Sequence, residues 1–333
     1  MPSPLPPRRT GHWNSSHLVR WCAAQQNWDK IHYDSIYAKG PASLPERVIN
    51  GALKQHLIAA YAIGCLEDGN AAVQLRRIRY RFLAPDFVGE QIEATGTLVE
   101  RFRHGGAEFV ELQIELRNVQ REQVTTTGSA LLQIGGDGDS TSELPPAWRM
   151  RPGEASTERG ELPPHIGALV GRQIDELTAY CPLDLSRLCL FADAVGWIHA
   201  RHFDAEVAAR EGRDGIVAPP LFPIHGLTPR PGSRPLSEDP AALGREGVAE
   251  VGRGLSTLLG IPDRGALNGG NDVEIFSALR LGETLRATSV LDDVSVKAGR
   301  NGGRMMIVQV RNHYATTGGR PVLDELQTVI YRL

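Results

Sequence analysis

Little in this chain is extreme, and each shortage excludes something. Four cysteines in 333 residues (Cys22, Cys65, Cys181, Cys189) fall at no metal-binding or redox spacing. That removes zinc ribbons, dithiol motifs and a disulfide scaffold, and the thiols are expected to be buried and free in a reducing cytoplasm. A net charge of −3 offers no basic field for nucleic acid or an anionic membrane. The longest strongly apolar run, Leu57–Leu66, falls well short of the roughly 20 residues a membrane-spanning helix needs. No glycine-rich loop follows a strand and opens a helix; the cluster Gly299-Arg300-Asn301-Gly302-Gly303 reads as a hairpin turn instead. The opening MPSPLPPRRTGHW has arginines with no apolar stretch behind them, so no secretory signal is expected. What is present, 41% hydrophobic and 23% charged residues, suits a globular chain long enough for two domains.

Residues 135–165 are rich in Gly, Pro, Ser and charge and show little periodicity, which predicts a linker between halves 1–134 and 166–333. The halves echo each other. Ile31-His32-Tyr33-Asp34 with Ala38 recurs as Arg201-His202-Phe203-Asp204 with Ala208, displaced by 170 residues. Gly89-Glu90 recurs as Gly282-Glu283, displaced by 193, and Leu112-Gln113-Ile114 is echoed by Val308-Gln309-Val310. The growing offset predicts an insertion of some 23 residues, best placed at Thr228–Gly247. A shared order of motifs with one insertion implies a duplicated fold.

Ala52–Leu66 is apolar nearly all round after His56, as an enclosed helix must be. Strands are predicted at Gln74–Phe82, Glu90–Phe102, Glu108–Val119 and Val124–Ile134. Their second-half counterparts are Val273–Leu279, Glu283–Val294, Arg304–Tyr314 and Val322–Tyr331. The strict alternation of Val110–Arg117 marks a sheet with one buried face. The expected class is therefore α+β, a double hotdog in which each half wraps an antiparallel sheet around one long helix.

One loop concentrates chemistry. Gln25–Ala38 sets His32 beside Asn27, Asp29 and Asp34, a short way before Asn50-Gly51, where the enclosed helix begins. An imidazole can exchange a proton with water near neutral pH, an amide or carboxylate can orient that water, and a helix-start N–H can hold an oxygen that becomes negative. Asp34 is expected to cap the helix Ser35–Lys39 rather than do chemistry. Asn50 is a second candidate for substrate contact, and Trp28 either packs on a ligand or fills the core.

With the Ile-His-Tyr-Asp loop, the Val-Ile-Asn-Gly helix start and Pro85-Asp86-Phe87-Val88-Gly89-Glu90 in view, the chain resembles the MaoC-like acyl dehydratase family, double hotdogs that include R-specific enoyl-CoA hydratases. The second half, with Ala218-Pro219-Pro220-Leu221-Phe222 and Asn268-Gly269-Gly270, is similar to the dehydratase module of the fungal fatty-acid synthase type. The resemblance implies a hydro-lyase acting on an acyl-CoA without a cofactor, in a homodimer or higher homo-oligomer. The family loop reads Gly-Asp-x-Asn-Pro-Ile-His. Its histidine falls on His32, its aspartate on Asn27, its asparagine on Asp29 and its proline on Lys30, so His32, Asp29 and Asn27 are the implied catalytic residues, with Gly51 and Asn50 at the thioester. Family members with a His-Arg-Ile-His-Tyr-Asp loop also lack that aspartate. In the second half Trp197 stands at the aspartate position, so that half is expected to be catalytically silent and to serve the acyl tail. A hotdog thioesterase and a non-catalytic acyl-CoA-binding subunit stand as the alternatives.

Overall fold

The computed structural model describes residues 2–67, 72–135, 143–150, 162–233, 254–261, 266–298 and 303–333. The first half runs β1 (Ser3–Arg9), α1 (Ser15–Gln25), α2 (Ser35–Lys39), α3 (Gly51–Gly64), β2 (Val73–Phe82), β3 (Ile92–His104), β4 (Ala107–Asn118) and β5 (Gln123–Ile134). The second runs α4 (Pro164–Gly167), β6 (Gln173–Thr178), α5 (Leu185–Val195), α6 (Ala205–Arg210), α7 (Leu255–Leu259), β7 (Leu267–Ile275), β8 (Leu285–Ala298), β9 (Arg304–Thr316) and β10 (Pro321–Arg332). All ten strands join one sheet in the order β1-β3-β4-β5-β2-β7-β10-β9-β8-β6, a palindrome of two halves about the β2–β7 seam. That seam is antiparallel, from Arg77 opposite Glu274 to Arg81 opposite Gly270. Gly270 has φ +130°, and a Cβ there would lie 2.1 Å from the Tyr80 carbonyl oxygen, so only glycine lets the seam close.

The duplication is visible in detail. Gly89 (φ +93°) and Gly282 (φ +85°) occupy equivalent left-handed turns. In these, Glu90 accepts from Phe87 N–H and Glu283 from Arg280 N–H. Strands β3 and β8 carry bulges at matching places, Leu98/Glu100 and Leu291/Asp293. One echo is out of step, however. Leu98 faces Leu112 and Leu291 faces Val310, so Val310 is the counterpart of Leu112, and Val308 is not. A two-residue slip leaves the alternation unchanged, which is why the pattern alone could not detect it.

Helix α3 is enclosed as expected: Leu53, Ile58, Ala59, Tyr61 and Ala62 are all 2% exposed or less. Each large apolar side chain so buried contributes about 1.5–3 kcal/mol. Gly96 on β3 lets it approach, since a Cβ there would sit 2.7 Å from the Tyr61 ring. The second half departs from expectation. Among the described residues it has no long helix; a four-residue 3₁₀ turn, Phe222–His225, follows Pro219-Pro220 where α3 begins in the first half. Paired prolines remove two amide donors. A smaller core forms instead around Leu255 and Leu259 of α7 with Leu291, Val294, Met306 and Val308.

Two further points differ from expectation. Part of the predicted linker is packed structure: Leu144 and Trp148 cover Phe109 and Leu131 on the sheet face away from α3, and Arg79 lies 5.2 Å over the Trp148 ring. Cys181 and Cys189 are exposed rather than buried, and only Cys22 is fully enclosed. The sheet ends in β1, where Pro4, Pro6 and Pro7 lack donors, and in the six-residue β6; both blunt strand addition. Most of Thr228–Gly247 and of the 299–303 turn lies outside the described residues, although Ala298 pairs with Arg304 across that turn. No described helix is long and apolar enough to cross a membrane.

Candidate active site

Helix α1 ends at Gln26 in a left-handed conformation (φ +58°), which throws the chain into the loop that precedes α2. Short polar side chains then fold the loop on itself. Asn27 Oδ1 accepts from Asp29 N–H at 3.0 Å, and Asp29 Oδ1 accepts from Ile31 N–H at 3.3 Å, starting the 3₁₀ turn Lys30–His32. Asp34 accepts from Ile36 and Tyr37 N–H and caps α2, the role the sequence assigns it. Asn27 and Asp29 are 9% and 6% exposed, and Trp28 packs edge-on against Tyr33.

The His32 ring is 8% exposed, with Nδ1 2.8 Å from the Val48 carbonyl oxygen. A carbonyl only accepts, so Nδ1 carries the hydrogen, and Nε2 is the nitrogen with the lone pair in the neutral ring. Val48 is itself fixed: its N–H donates to Ile31 O, and it forms a bridge with Phe87. Two residues on, Asn50 caps α3, its Oδ1 accepting from Ala52 N–H at 2.8 Å and its carbonyl from Leu53 and Lys54 N–H. Gly51 is the first helical residue, so its N–H has no acceptor within the helix. It also stands at the positive end of a 14-residue dipole. The Phe82 ring lies against it, 2.9 Å from where a Cβ would be, so glycine is needed for that contact as well. Of the five expected site residues, then, His32 is held by the segment that leads to Gly51. Asn27, Asp29 and Asn50 each spend one oxygen on a local cap.

Sequence reasoning missed what lies beneath the helix start. Asp86 is 0% exposed and accepts from Lys54 Nζ (2.7 Å), Asn118 Nδ2 (2.9 Å) and Thr125 Oγ1 (2.7 Å), while its carbonyl takes Ile49 N–H at 2.8 Å. Burial pushes the Lys54 ammonium below its ordinary pKa, and the Asp86 charge opposes that shift. The signal was available: a lysine inside an otherwise enclosed apolar helix requires a buried partner. A second hidden group joins the halves. Gln55 Nε2 is 2.9 Å from His225 Nε2, Tyr80 donates to Gln55 Oε1, and Trp21 packs edge-on against His56 and His225.

The second half repeats the clamp and changes its surroundings. His202 Nδ1 lies 2.6 Å from the Val217 carbonyl, and Asp204 caps α6 as Asp34 caps α2. Trp197 replaces Asn27 and packs edge-on to His202 at 6.4 Å. His199 replaces Asp29 and accepts from Arg201, which also pairs with Glu67 and Glu211. Burial holds His202 at a pKa of about 4 and lowers that of His199. Among the described residues no cluster of His, Cys, Asp and Glu is disposed to hold a metal ion.

These features can be set beside known proteins. Residues 168–325 match the family described as FAS1-like, dehydratase domain region. A solved MaoC-like dehydratase superposes with TM-score 0.62 at 13% identity, over 98% of this chain and 97% of its own. A MaoC domain dehydratase from Chloroflexus aurantiacus gives TM-score 0.63 at 14% identity, over 100% and 95%. A conserved hypothetical protein from Mycobacterium tuberculosis, described as a double hotdog, gives 0.58 at 13%, over 98% and 94%. No curated protein matches the sequence. The fold is that of the double-hotdog MaoC-like dehydratases.

Proposed function

We propose that this double hotdog of the MaoC-like, FAS1-like dehydratase type is a hydro-lyase that adds water across C2–C3 of a 2-enoyl-CoA, or removes it from the 3-hydroxyacyl partner. The observation that carries the reading is the clamp of His32 Nδ1 on Val48 O, two residues before the cap of α3. It puts the lone pair on Nε2 of a ring anchored three residues before Gly51, the first N–H of that helix.

In hydration, Nε2 takes a proton from water as the water oxygen bonds to C3. The C2–C3 π electrons move onto the thioester oxygen, held as an enolate by the Gly51 N–H and the dipole of α3. The enolate collapses and C2 takes the proton back from the imidazolium, so one imidazole serves both transfers and the sum is one water added. Asn27 and Asp29 orient the water, and Asn50 fixes the helix start. No cofactor is needed beyond the CoA of the substrate. The acyl tail runs toward the second half, a reading supported by the short Phe222–His225 turn that stands there in place of a second long helix.

The test is to incubate the protein with crotonyl-CoA and follow enoyl absorbance and free thiol separately. Falling absorbance without thiol is the expected result. Thiol release would make it a thioesterase, although α3 has no carboxylate to assist one. Tight binding with neither change would make it a carrier or assembly subunit.

A further inference from the structure

A groove of ≈ 780 Å³ crosses the sheet face away from α3, over the seam between the halves, and supplies no group to the proposed reaction. That volume lies within the roughly 300–1,000 Å³ of ordinary small-molecule sites. Strand alternation fixes what faces it. Arg79 lies over the Trp148 ring on that face, so Arg81, two residues and about 7 Å further on, shares it. The register sets Ser129 opposite Arg79 and Thr127 opposite Arg81 on β5. On the other side Arg81 stands opposite Gly270, Gly270 opposite Thr328, and Thr328 opposite Gln309. Gly270 thus leaves bare main chain between a guanidinium and a hydroxyl, where a ligand can lie directly on the sheet. Two residues further along β10, Ile330 stands opposite Ile307, both half-buried.

The groove holds a free cation. Arg81 is exposed and its guanidinium has no ion pair or hydrogen bond among the described residues. Arg79 is 42% exposed and reaches Asp272 at 3.2 Å, but both oxygens of that carboxylate already accept from Arg77, at 2.8 and 2.7 Å. The described lining carries three cations (Arg79, Arg81, Lys297) and two carboxylates (Asp272, Asp293). Arg77 behind Asp272 makes that four against two, so the surplus charge is positive. The groove also leads to the candidate active site. Phe82 lines it, and the Phe82 ring lies against Gly51, 2.9 Å from where a Cβ would be. Gly51 and Arg81 are therefore separated by little more than the thickness of β2, which an extended pantetheine arm spans.

We infer that this groove receives the nucleotide end of the CoA carrier. Its phosphates lie on Arg81 and Arg79, flanked by the Thr127 and Ser129 hydroxyls, and its adenosine crosses Gly270 to rest on Ile330 and Ile307. The inference deepens the hydro-lyase reading and rests on it for the placing of the thioester at Gly51. It also makes the carrier a nucleotide thioester, since a carrier without adenosine leaves these groups unused.

The test separates carrier from chemistry. Crotonyl-CoA and the crotonyl thioester of N-acetylcysteamine share the reacting atoms and differ in the nucleotide. In Arg81→Gln the ratio of their kcat/KM values, CoA over truncated, should fall at least tenfold, the worth of one charge-assisted hydrogen bond. Arg81→Lys should restore part of it. Being a ratio, it is insensitive to any loss of folded protein. Binding is read independently by calorimetry. Adenosine 3′,5′-bisphosphate should saturate the parent protein and lose at least tenfold in affinity in Arg81→Gln, whether or not either thioester is turned over. Such binding in a protein that hydrates neither thioester would sink the hydro-lyase reading and keep the groove as a nucleotide site. No saturable binding to the parent overturns the inference, as does an affinity unaltered in Arg81→Gln. A fixed ratio with a lowered affinity overturns it too, because the nucleotide bound is then not the substrate's carrier.

Discussion

The loops 27–32 and 197–202 are held by the same backbone and differ in almost every group that could do chemistry. Each histidine donates Nδ1–H to a valine carbonyl, at 2.8 Å and 2.6 Å, and each loop is followed by an aspartate-capped helix. Against that common frame, Asn27 becomes Trp197, Asp29 becomes His199 and Gly51 becomes Pro220. Asp86, whose carbonyl accepts Ile49 N–H, is matched by Leu279, whose carbonyl accepts Ala218 N–H in the same way. The sheet floor differs too. Gly96, which admits α3, is matched by Ser289, and Ser289, Asn312 and Glu325 form a buried hydrogen-bonded group in the second half. Contacts made through the main chain have survived duplication, while side-chain chemistry has diverged freely.

The comparison breaks first on activity. His32→Ala should lower crotonyl-CoA hydration by about 10²–10⁴-fold, the usual worth of a general acid–base group. His202→Ala should leave the rate within about twofold, since no reacting group is assigned to it. Equal losses would mean that the second half takes part in turnover.

Importing a second-half residue sharpens it next. Proline is well tolerated at the first helical position, so Gly51→Pro removes one N–H while keeping α3. The Phe82 ring must be trimmed to make room, so the change belongs in a Phe82→Leu background with that single variant as reference. The loss of an oxyanion donor predicts a further fall in kcat of about 10²–10³-fold, with the helical circular dichroism preserved. A rate unchanged from Phe82→Leu would remove Gly51 from the mechanism.

The buried pair comes third. Lys54 is 2% and Asp86 0% exposed, so Lys54→Met leaves the buried carboxylate with Arg121 at 3.4 Å as its remaining cation and should cost about 3 kcal/mol in denaturant unfolding. Lys54→Met with Asp86→Leu, the residue the second half carries, should cost less than either single change. If it costs more, the ion pair is a net stabiliser and not a device for placing Ile49–Asn50.

How much of this was legible follows from what kind of interaction sets each part. Period-2 alternation and the Gly-Glu turns located β3, β4, β8 and β9 because sheet pairing rewards them directly. The nearly continuous apolar run after His56 located α3 as an enclosed helix. That only a short 3₁₀ turn follows Ala218-Pro219-Pro220 was not legible, since that segment resembles a helix start until one asks which N–H groups it retains. Trp148 was hidden in a stretch with no period, because an isolated side chain filling a pocket leaves none. Within the candidate site, His32 and Gly51 stand out through their neighbours in sequence. The Val48 carbonyl and Asp86, 16 and 54 residues away from His32, are brought in only by tertiary structure.

The smallest effect concerns acidity where the two halves meet. Burial holds His225 at a pKa of about 3 and His56 well below its ordinary value. The groups packed on them are Gln55, Trp21 and Phe191, with Arg187 donating to the His225 carbonyl and adding a positive charge that also disfavours protonation. An unfolded chain protonates these imidazoles near 6.5, so it binds protons that the folded state refuses. Stability is therefore complete above that pH and falls as pH drops from 6.5 toward 3. For His225 alone the loss at pH 5 is about 2 kcal/mol. His225→Gln keeps an acceptor for the Gln55 amide and removes the titration. It should flatten the dependence of the urea midpoint on pH between 7 and 5 without altering the midpoint's value at pH 7 by more than about 1 kcal/mol equivalent. A slope identical to that of the parent would show that the halves are not joined through a neutral imidazole, and would locate the acid-sensitive contact elsewhere in one half alone.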